Sequence, residues 1–210
     1  MGKLTSGILG AVSGKVAGVV GGMWKDKNYL RSYVIPANPK TAAQQTQRGL
    51  LATVVAFAKP LVGPVFNAYT DVFQKTMSGF NFFIKSNIAH FGDPVAYNLV
   101  ALTSGKLWLP LITGAELNVD HTTVTITLPT SLGNNGAATD RLFAAVYNAD
   151  TGIWAFAEET VARSTGTISV PVSGGPDADD LHSWTFAVKL DGTVVVMVSA
   201  SGYHAVSQQE

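Results

Sequence analysis

The sequence contains no cysteine, which excludes a disulfide framework, a thiolate metal site and a thiol nucleophile. Charge is the second scarcity. Asp, Glu, Lys and Arg make up 13% of the 210 residues, about half the usual share of roughly 25% in a soluble domain. The 14 basic and 14 acidic side chains cancel. A chain without a basic excess has no overall attraction for a phosphate backbone, so neither general nor sequence-specific nucleic-acid binding is expected. With 47% apolar residues and little charge, its surface also lacks the repulsion that keeps monomers apart. Such a composition favours a subunit over a free monomer.

Long uninterrupted apolar runs are missing as well. Met1 to Trp24 is apolar, but Lys15 interrupts it and six glycines between Gly7 and Gly22 dilute it. A signal peptide needs a continuous apolar run of about 7–15 residues and a membrane-spanning helix about 20, so neither is expected. Met1-Gly2-Lys3-Leu4-Thr5-Ser6 fits the short N-myristoylation pattern, which is too short to carry weight by itself.

A chain of this length holds one large domain or two small ones, with a core that buries roughly 70% of the unfolded surface. Glycines at 10, 14, 18 and 22 would line one face of a helix. Each glycine costs a helix about 1 kcal/mol relative to alanine, so a glycine-rich arm is the better reading. Val16, Val19, Val20, Met23 and Trp24, then polar Lys25 to Asn28, then Tyr29 to Val34, read as two strands around a turn. So little side-chain surface cannot stabilise an isolated arm, which is therefore expected to dock on a neighbour.

Pro36-Ala37-Asn38-Pro39 reads as an extended linker. Thr41 with Gln44 three residues on forms a capping box, and Leu50, Leu51, Val54, Val55 and Ala58 follow at helical spacing. A helix over 41–59 is expected, ended by Pro60, Gly63 and Pro64. Phe66, Tyr69, Phe73, Met77, Phe80, Ile84 and Ile88 then form one apolar stripe, expected as core or subunit contact on helices over 65–77 and 79–90, the second capped by Ser78.

After Gly92-Asp93-Pro94 the period changes to two. Val124, Ile126 and Leu128 alternate with threonines, and further strands are expected at 97–102, 107–112, 141–147, 154–159, 167–172, 183–190 and 193–200. Asp191-Gly192 between apolar runs is the strongest hairpin signal. The pattern predicts an α+β chain: an assembly module of arm, β-hairpin and amphipathic helices over 1–92, then an immunoglobulin-like β-sandwich over 93–210.

Chemistry-bearing patterns are sparse. His90, His121, His182 and His204 show no metal-ligand spacing, and there is neither a Gly-x-Ser-x-Gly elbow nor a phosphate-binding Gly-Lys-Ser/Thr loop. Asp177, Asp179 and Asp180 are hard oxygen ligands of the kind calcium takes, but without EF-hand spacing they read as a solvated turn. Glu158 and Glu159, adjacent in a strand, would point to opposite faces and cannot act as a pair. Trp154 and Trp184 would stack on sugars if exposed; their alternating apolar surroundings favour the core. No catalytic residue, cofactor or metal site is assigned, and enzymatic activity is not expected.

Ser13-Gly14-Lys15-Val16, Gly21, Trp24-Lys25, Leu30-Arg31-Ser32, Pro36, Asn38-Pro39-Lys40-Thr41, Gln44 and Gln47-Arg48 form a specific constellation. It resembles the amino-terminal signature SGKVG…W…RS…NPxTxxQxxQR of an uncharacterised family of Bacteroidota and their phages. Ser78-Gly79-Phe80-Asn81-Phe82-Phe83 with Asn87 is similar to a segment that accompanies it. The likeness spans about the first 90 residues, and Asp26 stands where that family commonly has glycine. It implies a structural, self-assembling virion subunit of bacteriophage type, made in the host cytoplasm. Its partners would be copies of itself and other structural proteins. On that reading Gly14, Gly18, Trp24, Arg31, Asn38, Thr41, Gln44, Gln47, Arg48, Phe80 and Phe83 form the assembly interface. The rival reading is a cell-surface module whose sandwich binds carbohydrate or protein.

Overall fold

The computed structural model describes residues 3–4, 12–24, 27–35, 37–38, 40–70, 77–109, 111–133 and 135–209. It divides into two compact units, Met1–Ala42 and Ala43–Glu210.

The first unit is a four-stranded antiparallel sheet in sequential order: β1 (Lys3–Leu4), β2 (Val12–Val16), β3 (Val19–Trp24) and β4 (Lys27–Ser32). The expected hairpin is its β3/β4 half, paired from Val19↔Ser32 to Trp24↔Lys27. Of the glycines that argued against a helix, Gly14 and Gly22 lie in strands and Gly18 in the β2/β3 turn, while Gly10 lies outside the described residues.

The second unit begins with α1 (Ala42–Ala58), and Thr41 stands at the position before its first residue. The α-helix ends at Ala58, as expected ahead of Pro60, but the chain does not leave helical winding there. The chain stays helical to Thr70 by changing its winding, first through a 3-10 turn at Lys59–Leu61 with a proline in its first turn, then through a π-helical stretch at Val62–Thr70. Proline lacks an N–H and blocks the α-type bond, and local 3-10 or π winding is a common way to absorb it. Ala42–Tyr69 is long and apolar enough to cross a membrane by length and composition. Its buried residues Val54, Phe57, Leu61, Val65 and Phe66 lie instead in the core that the helices share with the sandwich. Residues 71–76, with Phe73, lie outside the described residues. Next, α2 (Gly79–Asn87) is capped as expected: the Ser78 hydroxyl accepts the Asn81 amide at 3.4 Å.

The remaining strands are β5 (Gly114–Leu117), β6 (Thr123–Thr127), β7 (Arg141–Asn148), β8 (Ile153–Phe156), β9 (Val161–Ala162), β10 (Thr167–Pro171), β11 (Leu181–Asp191), β12 (Val194–Val198), β13 (Gly202–Ala205) and β14 (Ser207–Gln208). One sheet runs β10-β6-β5-β14; the other runs β12-β11-β7-β8, with β13 also on β11 and β9 also on β7. The chain crosses between the sheets at β6 to β7, β9 to β10, β10 to β11 and β13 to β14, and β14 pairs parallel to β5, giving an immunoglobulin-like sandwich. The Asp191-Gly192 hairpin forms as read, with Asp191↔Val194 as its last pair.

Alternation along β7 and β11 decides the layering. Leu142, Ala144, Val146, Leu181 and Ala187 face the second sheet. The larger Phe143, Trp184, Phe186 and Val188 point the other way, into the cluster that holds Val54, Phe57 and Phe83. The central sheet is therefore buried on both faces, and the boundary expected near residue 92 falls inside a single core. An apolar helix stripe and a sheet face of bulky rings have no other way to leave water.

Two expected strands are corrected. At 97–102 a 3-10 turn (Tyr97–Leu99) leads into a strap held by side chains. Asn87 Oδ1 accepts the Ala101 amide at 2.8 Å while its Nδ2 donates to the Ala101 carbonyl at 3.0 Å. Trp184 Nε1 donates to the Val100 carbonyl at 2.9 Å. At 107–112 the sole described pairing is an isolated bridge from Leu107 to Ser199. The strand expected over 154–159 ends at Phe156, which leaves Glu158 and Glu159 outside it.

His182 gives the body a pH dependence. Its ring stacks 4.1 Å from Tyr97 and its Nδ1 meets the Tyr203 hydroxyl at 2.9 Å. Burial pushes its pKa below the usual value, against a weaker opposing pull from Asp180. The unfolded chain then binds more protons than the folded one just below pH ~6.5, so stability falls as pH drops through that value and levels off below the folded pKa. Melting curves from pH 7 to 5 should show this slope, and His182→Gln should flatten it. An unchanged slope in the variant assigns the effect to other groups.

Candidate assembly surface

The arm is built around missing side chains. Gly14 lies directly opposite Gly21 and has φ 94°, a region that side chains with a Cβ rarely enter. The Tyr29 ring lies over Gly22, where a Cβ would meet the hydroxyl oxygen at 2.8 Å. The β2/β3 turn uses Ala17 at φ 50° with Gly18, and the Gly18 carbonyl accepts the Tyr33 amide at 2.8 Å.

Strand pairing sorts the side chains onto two faces, because directly opposed residues point the same way. One face carries the apolar Val16, Val19, Met23 and Leu30, with Asn28 and Ser32, around the Gly14–Gly21 pair. The other carries Lys15, Lys27, Arg31, Tyr29 and Tyr33, with Val20 between Lys15 and Arg31 and Lys15 Nζ 3.5 Å from the Tyr33 ring centre. Among the described residues of the arm, only Gly21 is buried. Met23 is 67% and Leu30 63% exposed, and Val34 and Ile35 are exposed beyond the last strand. β4 is the terminal strand of the sheet order, with all six residues exposed.

Gly14, Gly18, Trp24 and Arg31 are thus brought into one sheet; the Trp24 side chain lies outside the described residues. Asn38 and Thr41 are exposed ahead of α1, and Gln44, Gln47 and Arg48 are exposed on its first turns. Phe83 is corrected. It is 1% exposed, stacked on Phe57 at 6.1 Å, and so a core residue of its own chain. Half-buried Phe80 packs against the same core, edge-on to Phe66 at 6.2 Å. The exposed apolar face of the arm needed the strand register to be found, since the sequence alone does not say which residues share a side.

Elsewhere, among the described residues no group of three or more His, Asp or Glu gathers as metal ligands. Trp154 and Trp184 are buried, their ring N–H groups donating to the Phe57 and Val100 carbonyls. Arg163 and Asp140 form a buried pair at 3.7 Å beneath Trp108. This arrangement ties loops together, and the two charges are 1% and 2% exposed.

Residues 11–203 match the model of a family described as a family of unknown function, DUF6266. No curated protein matches the chain, and no solved structure does. The family match takes in most of the arm and nearly all of the helix-backed sandwich, so the chain belongs to this family of unknown function (DUF6266).

Proposed function

We propose that the chain is a structural, self-assembling subunit, non-enzymatic, whose setting is a phage virion as a tail, capsid or decoration protein. The observation that supports it is the arm: a four-stranded sheet whose described side chains are nearly all exposed and which gathers Val16, Val19, Met23 and Leu30 on one face. Contiguous exposed apolar surface on a sheet marks an interaction site, and an open strand edge invites pairing with another chain. The rival glycan-binding reading loses Trp154 and Trp184, which are in the core, and keeps only Trp108, which is 38% exposed, among the described sandwich tryptophans.

The test is the mass of the intact protein at micromolar concentration, by light scattering, with electron microscopy of the particles. Rings, tubes or shells are expected, and a monodisperse monomer of 22.1 kDa overturns the proposal. Gly14→Val should abolish these particles. A β-branched residue at that φ costs about 1–3 kcal/mol, and the arm has no core to absorb the strain. The melting temperature of the body, which has its own core, should stay unchanged. Particles of wild-type mass from Gly14→Val would remove the arm from the contact.

A further inference from the structure

We infer that copies join head to tail, the basic face of one copy's arm docking on the acidic loop end of the next copy's sandwich. This rests on the self-assembly reading and adds the partner surface. The carrying observation is how the balanced charge of the chain is divided between its two units. Residues 1–42 hold six basic side chains against one acidic, a net +5; residues 43–210 hold eight against thirteen, a net −5. A neutral protein has been split into a cationic arm and an anionic body.

The anionic charge is densest at one end of the sandwich. Three loops converge there: 118–122, 148–152 and 173–180. His121 Nδ1 meets the Pro176 carbonyl at 2.7 Å, the Ala149 amide donates to the Asp180 carbonyl at 2.8 Å, and the Val172 amide donates to the Thr122 carbonyl at 2.8 Å. These loops carry Asp120, Asp150, Asp177, Asp179 and Asp180, and no lysine or arginine. Val119 is 67% exposed among them and Ile153, just beyond the second loop, 58%. The arm face with Lys15, Lys27, Arg31, Tyr29 and Tyr33 complements this in kind: cations for the carboxylates, tyrosine rings for the two aliphatic side chains. A second copy is the occupant this selects, because both charges belong to the same chain. An interface between two different patches is heterologous, and it closes into a ring or extends as a filament. A symmetric arm-to-arm contact would instead bring +5 against +5.

The experiment uses two full-length variants. Lys15→Glu, Lys27→Glu and Arg31→Glu reverse the arm, and Asp177→Lys, Asp179→Lys and Asp180→Lys reverse the loop end. Each alone should fall short of the wild-type particle mass by light scattering, since at most contacts through the opposite, apolar face of the arm remain, with the body melting as in wild type. Mixed one to one they should recover the wild-type mass, since the reversed arm then meets the reversed loops and the native arm meets native loops. Wild-type particles should also dissociate as NaCl rises from about 0.05 to 1 M, where screening shortens to about 3 Å. A mixture that does not regain the wild-type mass, an arm-reversed variant that reaches it by itself, or wild-type particles strengthened by salt would each overturn the docking. A wild-type protein that is monomeric takes down the self-assembly reading with it; particles indifferent to charge reversal take down the docking alone.

Discussion

Phe57→Ala should destabilise the sandwich, by about 3–5 kcal/mol for a buried Phe truncated in a packed core, although residue 57 lies on a helix far from it in sequence. The ring is 4% exposed. It sits 4.7 Å from Tyr147, 4.8 Å from Trp154 and 5.0 Å from Phe91, with Trp184 and Phe83 at 6.0 and 6.1 Å. Tyr147, Trp154 and Trp184 belong to three different strands, so the cavity opens where the helix layer meets the central sheet. At about 2–4 °C per kcal/mol for a unit of this size, the melting temperature should fall by about 6–20 °C. Tryptophan fluorescence and helical circular dichroism should fall together in one transition. Leu51→Ala, 45% exposed on the same helix, should change stability by no more than about 0.5 kcal/mol. If Phe57→Ala melted the helical signal and left the tryptophan transition in place, helices and sandwich would be separate folding units.

That dependence is what the sequence concealed. The stripe of Phe66, Tyr69, Phe80 and Ile84 is plain at helical spacing, but a stripe does not say whether its partner is another subunit or a sheet a hundred residues later. Tyr69 settles it by packing 5.3 Å from Phe186 and 5.5 Å from Phe143. The sign was present in β7 and β11: Leu142–Val146 and Trp184–Val188 are apolar on both parities, the mark of a strand covered on two faces. By contrast β6, the β3/β4 hairpin and the Ser78 cap were legible, because each is fixed by local alternation or a local hydrogen bond. The missed β5 and β13 read Gly-Ala-Glu-Leu and Gly-Tyr-His-Ala, compositions poor in strand formers. Their state is imposed by neighbours β6 and β11. Leu107 to Ile112 errs the other way. It is rich in apolar residues but interrupted by Pro110, which has no N–H for a ladder, and Leu111 ends 84% exposed. Of the candidate surface, the arm and its glycines were readable, whereas its division into an apolar and a basic face waited on the strand register.

Asp140→Ala is expected to be as damaging as the loss of Phe57, for an electrostatic reason. Asp140 and Arg163 are 2% and 1% exposed. The carboxylate accepts the Ala137 amide at 2.7 Å, and the guanidinium donates to the Ser131 carbonyl at 3.2 Å, so the pair ties the 131–137 loop to the start of β7. Burial pulls the Arg163 pKa down and the Asp140 charge pushes it back up; arginine stays charged in either case. Removing the carboxylate leaves a buried cation with no counter-charge, a loss of about 3–5 kcal/mol, and again about 6–20 °C in melting temperature. Adding Arg163→Met should recover part of that loss. Among the described residues Nε and Nη1 of Arg163 have no hydrogen-bond partner even in the native pair, so an apolar side chain of similar length gives up little and removes the uncompensated charge. Thermal melts of the two single variants and the double variant therefore form a cycle with a large coupling term. Simple additivity, or an Asp140→Ala cost below about 1 kcal/mol, would show that water reaches the guanidinium and that this corner of the sandwich is open rather than sealed.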